Sequence, residues 1–336
     1  MAFEESLTPI DNMIGSLITA KSYPPENFYD HKYLEKEVEE AFRKGDLEKY
    51  AFFLATSIIS TARKIEIFKY QYCQILFDQL TDVKSNVQVL NLTSAAFYLR
   101  SFLEVTSQFL GRSENMIEIT QKLAELKSNS PLFPDISESS LNLIRELNVQ
   151  MDQDSLFMSI NLAALANDDW DSIEKIPDFL NPVEGFKSKN IISYLKKIEK
   201  TIPQINPLYS ACSEIIHPNS WIHLSSIDTG LLENQQSVSG YLTFSPGSER
   251  MKTEMHFEYY WSIIERLLIS VFDKLRSSLA KTLLQLDESY KDSLAICIPI
   301  SRHILSHYTY GDQDYLPAKC PCGSGNNTFN CQCLLF

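Results

Sequence analysis

"DLEKYAFFLATSIISTARKIEIFKYQYCQILFDQL", Asp46 to Leu80, places apolar side chains at three- and four-residue intervals along its whole length. That interval marks one face of a 3.6-residue helix, not the two-residue alternation of a half-buried strand. Gly45-Asp46 supplies a plausible start. Val87 to Leu110 forms a second long helix, with Gly111 placed as its C-terminal stop. Shorter helices follow around 113–126 and 136–150, punctuated by Pro131 and Pro134. Lys189 to Lys200 is short, amphipathic and basic. Asn206-Pro207 reads as the cap and first-turn pair of a helix that ends at His217, because Pro218 disfavours helical backbone just before it.

The longest helix runs from about Ser248 to Leu286, and another spans 289–308. Ile264, Leu268, Val271, Leu275, Leu279 and Leu286 make one continuous stripe. Flanking positions are also apolar, which favours a packed core over a coiled-coil seam. The stretch 151–188 reads as loops and short helices. Residues 219–248 are the least helical; "WIHLSSI" and "VSGYLTF" suit short strands or an extended flap. The expected fold is therefore mainly α: a multi-helix globular bundle over 1–310, a polar linker at 311–318 and a small C-terminal module at 319–336. There is no internal repeat.

Bulk composition agrees. Ten glycines in 336 residues is few, and both extended β architectures and glycine-rich phosphate loops use more. No P-loop, dinucleotide fingerprint or nucleophile elbow is present. The net charge of −13 argues against general coating of nucleic acid, while leaving room for a local basic cleft. No run of eighteen apolar residues exists, so no membrane span is expected. The first twenty residues lack the basic region of a secretory signal. The expected compartment is the cytoplasm, where thiols stay reduced. Cys73, Cys212 and Cys297 sit in apolar helical surroundings and read as core.

The other four of the seven cysteines crowd into "CPCGSGNNTFNCQC", residues 320–333. Cys320 and Cys322 form one Cys-x-Cys pair; Cys331 and Cys333 form another, eight residues on. Two close thiolate pairs around a short loop suit tetrahedral Zn2+. Gly323-Ser324-Gly325 permits a tight turn whose N–H groups can face the thiolates. So small a segment has no core, so the metal must supply its folding energy. Four protein ligands leave no open position, which makes the zinc structural.

This stretch resembles the SEC-C motif, a zinc knuckle found at the end of the bacterial secretion motor and appended to many other prokaryotic proteins. Cys320, Pro321, Cys322, Gly323, Ser324, Gly325 and Cys331 match position by position. Cys333 comes one residue late, and Asn326, Asn327 and Asn330 stand where the motif carries lysines. The resemblance implies a module that docks a protein or ribonucleoprotein partner, here one whose surface is not strongly acidic.

Two helices of the body carry unusual polar stripes. In Val87 to Leu110 the only charged residues are Arg100 and Glu104, four apart on a largely apolar circumference. In "NPLYSACSEIIHP", Ser210, Ser213 and His217 share one face, with Glu214 beside them. The two segments resemble a prokaryotic helical family of unassigned chemistry. Its members pair an Arg-Ser-x-x-Glu helix with a later Tyr-x-x-x-Ser-x-x-x-His-Pro helix. Arg100, Ser101 and Glu104 match the first signature; Tyr209, Ser213, His217 and Pro218 match the second.

One reading gathers Arg100, Glu104, Ser213 and His217 into a catalytic pocket, with His217 as acid–base group and Arg100 as anion clamp. The other reads a buried ion pair and a histidine serving the helix end.

Arg250 and His256 fit the Arg-x(4–6)-His signature of HEPN ribonucleases, which cleave RNA without metal. With six histidines and three permitted spacings, one match is what chance supplies, and Met251 replaces the polar residue usual after the arginine. His303 and His307 lie four apart, but no glutamate follows His303, so the zincin pattern fails.

Two functional classes stand. The first is a cytoplasmic helical protein that docks a partner through its zinc knuckle, with stress or phage defence as the setting that family context suggests. The second is a metal-independent ribonuclease using His217 or His256.

Overall fold

The computed structural model describes residues 2–20, 31–125, 146, 191–217 and 250–305, and every strand and knuckle expectation above falls outside them. Seven helices follow one another among the described residues: α1 (Ala2–Ala20), α2 (His31–Lys44), α3 (Leu47–Gln88), α4 (Leu92–Glu125), α5 (Ile191–Glu199), α6 (Ile205–Ile216) and α7 (Arg250–Leu305). The fold is mainly α, a multi-helix bundle with no strand among these residues. None of these helices is long and apolar enough to cross a membrane.

Local chemistry explains where the helices stop. Gly45 takes φ +69° after α2, and the Asp46 N–H reaches the Ala41 carbonyl at 3.1 Å. That is the six-to-one bond of a Schellman close, a place where glycine avoids the left-handed penalty. Asp46 then caps α3 as expected, its Oδ1 accepting from the Lys49 N–H at 3.0 Å.

The next junction repeats this design with a less suitable residue. Leu90 sits at φ 59°, and the Asn91 N–H bonds the Asn86 carbonyl at 2.8 Å. Asn91 caps α4 by accepting from the Ser94 N–H at 3.1 Å. Helix α4 therefore begins five residues later than Val87.

Gly111 is not a stop. Helix α4 runs through it to Glu125, taking in the expected 113–126 segment. A Cβ at Gly111 would lie 2.4 Å from Cδ1 and 2.8 Å from Cε1 of Tyr194 on α5. The glycine is there for close approach of a ring, not for a turn. Likewise, the two helices expected at 248–286 and 289–308 are one, α7. Helix α6 starts at Ile205, behind a left-handed Gln204 (φ 74°), so Asn206-Pro207 lies inside the first turn. Its end at His217, with ψ 123°, is as Pro218 demands.

Contacts divide the chain into two units. The first comprises Met1–Lys21, Gln71–Arg112 and Lys189–Thr282; the second comprises Ser22–Tyr70, Ser113–Ser188 and Leu283–Phe336. In the first, Leu7, Ile10, Met13 and Leu17 form the buried stripe of α1, a helix the sequence reading passed over. Cys73, Leu76, Leu80, Val83 and Val87 of α3 alternate three- and four-residue steps, as do Trp261, Ile264, Leu268, Val271 and Leu275 of α7. Phe102 of α4 meets Phe272 of α7 with ring centroids 5.5 Å apart. Each such buried side chain contributes about 1.5–3 kcal/mol of transfer free energy. In the second unit, Val38 and Ala41 of α2, Tyr50, Phe53, Ile65 and Phe68 of α3, and Met116 of α4 are buried.

Candidate functional site

The polar stripe of α4 meets α6. Arg100 Nε donates to Glu104 Oε1 at 3.1 Å and to the Tyr209 hydroxyl oxygen at 3.2 Å. Tyr209 O–H donates to the same Glu104 oxygen at 2.8 Å. The guanidinium also lies over the Tyr209 ring, 5.1 Å from its centroid. Helical spacing sets Arg100 beside Glu104, since residues four apart stack on one face. Tyr209 arrives from more than a hundred residues away.

The Ser101 and Ser213 hydroxyls and the His217 backbone N–H are each engaged elsewhere. Ser101 Oγ accepts from Gln79 Nε2 of α3 at 2.7 Å. Ser213 Oγ donates to the Tyr209 carbonyl at 2.9 Å, within its own helix. His217 is exposed, and its backbone N–H donates to the Ser213 carbonyl at 3.2 Å. It lies eight residues beyond Tyr209, about 12 Å of helical rise. No hydrogen bond or ion pair joins it to Arg100 or Glu104 among the described residues. The structure thus brings Arg100, Glu104 and Tyr209 together, sets Ser213 one turn along, and leaves His217 a further turn away.

Titration behaviour follows from this packing. Burial raises the Tyr209 phenol pKa, the Glu104 hydrogen bond and charge raise it further, and Arg100 only partly opposes them. Burial pulls Arg100 down, but its contacts with Tyr209 and Glu104 more than offset this, leaving it above the usual value. Burial pushes the fully enclosed Cys212 thiol up to about 12, against the nearby Arg100 charge. Each of these three groups moves away from neutral pH. A nucleophile or general base needs the opposite displacement. Chemically, the cluster is suited to fastening α4 to α6 with charge-assisted hydrogen bonds.

The second unit holds a different cluster. Lys69 of α3 donates from Nζ to Asp287 Oδ1 of α7 at 2.5 Å and to Glu66 Oε1 at 3.2 Å. Burial pulls this ammonium down, but the Asp287 hydrogen bond and the Glu66 and Asp287 charges win, holding its pKa above the usual lysine value. A protonated, doubly paired lysine is no nucleophile.

Sequence reasoning passed over Tyr209, Gln79 and the whole Lys69 cluster as site members. The Tyr209-x-x-x-Ser213 spacing on one helical face was the available signal for the first. No local signal exists for Asp287, which lies 218 residues from Lys69.

The remaining expected residues cannot be placed with these. Cys320, Cys322, Cys331 and Cys333 lie outside the described residues, as does His307. Arg250, His256 and His303 lie on α7. Among the described residues no group of three or more His, Cys, Asp or Glu is placed to hold a metal ion. No protein-family model matches the chain, and no curated protein or solved structure matches it either.

Proposed function

We propose that this chain is a helical docking protein whose cysteine tail folds around a structural zinc ion. The observation that carries the proposal is the spacing of Cys320, Cys322, Cys331 and Cys333, two Cys-x-Cys pairs separated by eight residues. The four thiolates hold Zn2+, which supplies the folding free energy that so short a segment lacks. The folded knuckle presents a small rigid surface to a protein or ribonucleoprotein partner in a reducing cytoplasm. Its asparagine-rich loop, Asn326, Asn327 and Asn330, favours a partner face without strong negative charge.

The mutual bonding of Arg100, Glu104 and Tyr209 supports a structural part for that cluster in this reading, with the body as scaffold. Metal content and affinity capture test it together. Purified under reducing conditions, the full chain binds about one zinc ion, and deletion of residues 316–336 removes it. The same deletion abolishes partner capture and leaves far-UV helicity in place. Zinc-free full-length protein, or capture that survives the deletion, overturns the proposal. RNA cleavage by the wild type that His217→Ala or His256→Ala abolishes would move the protein to the ribonuclease class.

A further inference from the structure

The most basic element of the first unit is its shortest helix. On α5, Ile192 and Lys196 lie four residues apart along one side with Lys197 flanking them, Lys200 follows in the turn just past Glu199, and all four are exposed. The opposite side, Tyr194, Leu195 and Ile198, is buried. The one carboxylate of α5, Glu199, accepts from Asn206 Nδ2 at the start of α6 and keeps its charge, so against Lys196, Lys197 and Lys200 it leaves a net positive segment. Lys196 and Lys200 form no ion pair among the described residues.

A second helix extends this face. Ser270 Oγ of α7 hydrogen-bonds Gln204 Oε1, in the turn that follows α5. Arg266 and Lys274 lie one helical turn to either side of Ser270, so they share its face. Two α7 carboxylates neighbour these cations in sequence, Glu265 beside Arg266 and Asp273 beside Lys274, and Asp273 pairs with Arg276 at 3.6 Å. The Ser270–Gln204 contact is thus flanked by the lysines that precede Gln204 and by two α7 cations, in a chain whose net charge is −13. Each element also exposes one aliphatic side chain: Ile192 of α5 is 50% exposed and Ile269 of α7, beside Ser270, is 48% exposed.

We propose that the outer face of α5 with the adjoining turn of α7 is a docking surface for an acidic, aliphatic-bearing segment of a partner protein. Charge complementarity selects the sign: the surface attracts carboxylates and steers their approach. Exposed isoleucines within a charged rim have the anatomy of a protein interface, an apolar centre ringed by polar groups. Single-stranded nucleic acid is the less fitting occupant. It calls for aromatic stacking platforms, and the exposed apolar residues of this face are aliphatic. The overall −13 also opposes a dense polyanion more than a short peptide. None of these residues belongs to the cysteine segment 320–333.

Fluorescence anisotropy on the full-length, zinc-loaded protein tests it. The probe is a labelled peptide with glutamates and with leucines four residues apart; a leucine-to-serine version and a labelled oligouridylate serve as comparisons. The leucine peptide binds best, and its affinity falls as salt is raised. Lys196→Glu with Lys200→Glu weakens it by about tenfold or more, with unchanged far-UV circular dichroism. Ile192→Ser weakens it about threefold without altering the salt dependence. Deleting residues 316–336 leaves the affinity as it was, so this surface and the knuckle stand or fall separately. Absent peptide binding, binding indifferent to the charge reversal, or tighter binding of oligouridylate through the same lysines overturns the proposal.

Discussion

Lys69 and Arg100 each anchor a contact between two helices, Lys69 through the Asp287 carboxylate and Arg100, with Glu104 of its own helix, through the Tyr209 hydroxyl, in different surroundings. The Lys69 side chain is 5% exposed, between Glu66 at 12% and Asp287 at 41%. The Arg100 and Glu104 side chains are 31% and 21% exposed. An ammonium that deep is held because two carboxylates reach it; remove it, and Glu66 loses its counterion where little water reaches, while Asp287 keeps partial solvation. Around Arg100 water can take over part of what a lost partner gave. The same kind of contact is thus a condition of packing in one unit and an adjustable fastening in the other.

Lys69→Met is the most direct way to break that contrast, and it carries the largest expected effect. It should destabilise the protein by about 3 kcal/mol in urea unfolding at neutral pH, below the upper end for buried pairs because Asp287 is partly solvated. The pH dependence has a defined sign. The folded pKa of Lys69 is raised, so its stabilisation is fully present below the unfolded lysine value of about 10.4. It is lost as pH rises through the higher folded value. Wild type should lose this component in alkali and Lys69→Met should lack it. Destabilisation under 1 kcal/mol would make Lys69 a spectator and erase the contrast.

Gly111→Ala probes what positions the Arg100 side of the comparison, since α5 leads directly into the helix that carries Tyr209. A methyl group 2.4 Å from the Tyr194 ring must displace it. Overpacking of this kind costs about 2 kcal/mol. In a Tyr194→Ala background the overlap is gone, and the same change should instead gain up to about 1 kcal/mol from helix propensity. A double-mutant cycle reads the reversal of sign. Equal effects in both backgrounds would show that the ring is not what Gly111 accommodates.

Gly111 also marks where sequence reading stops. The apolar stripes of α3 and α7 were legible because helical period and burial agree at residue after residue, as from Ile264 to Leu286. The Asp46 cap and the end at His217 were legible because each depends on chemistry within a few residues. The role of Gly111 depends on Tyr194, 83 positions away, and a glycine after a long helix looks the same as a stop. Leu90 misled in the other direction: it takes the left-handed turn normally given to glycine. Within the candidate cluster, Arg100 and Glu104 announced themselves by their spacing, whereas Tyr209 and Asp287 join their partners only through tertiary packing.

Tyr209→Phe tests the fastening itself while keeping the ring under the guanidinium. It removes the bond donated to Glu104 and the one accepted from Arg100. The expected loss is about 1 kcal/mol, because water can reach both charged partners once the hydroxyl is gone. The Tyr209 pKa is raised too, so its share of stability is present below the unfolded tyrosine value of about 10 and lost above it. Comparing alkaline unfolding of Tyr209→Phe with that of Lys69→Met separates the two contributions. A loss as large as that of Lys69→Met would mean that Arg100 is as dependent on its partners as Lys69.

More exposed than either cluster is the Lys84–Asp11 pair, which joins α3 to α1 at 2.7 Å with side chains 34% and 48% exposed. Its separation is close to the 2.5 Å of Lys69–Asp287 and shorter than the 3.1 Å of Arg100–Glu104, so if distance governed stability it would rank beside Lys69. Exposure argues otherwise: solvent screens the attraction, and holding two long side chains in one geometry costs entropy. Lys84→Ala should change stability by about 0.5 kcal/mol or less, and that difference should vanish in about 1 M salt, where screening acts over roughly 3 Å. The Lys69→Met effect should persist in the same salt, because its charges are shielded by protein, not by ions. If Lys84→Ala matched Lys69→Met, burial would not be the variable that ranks these clusters.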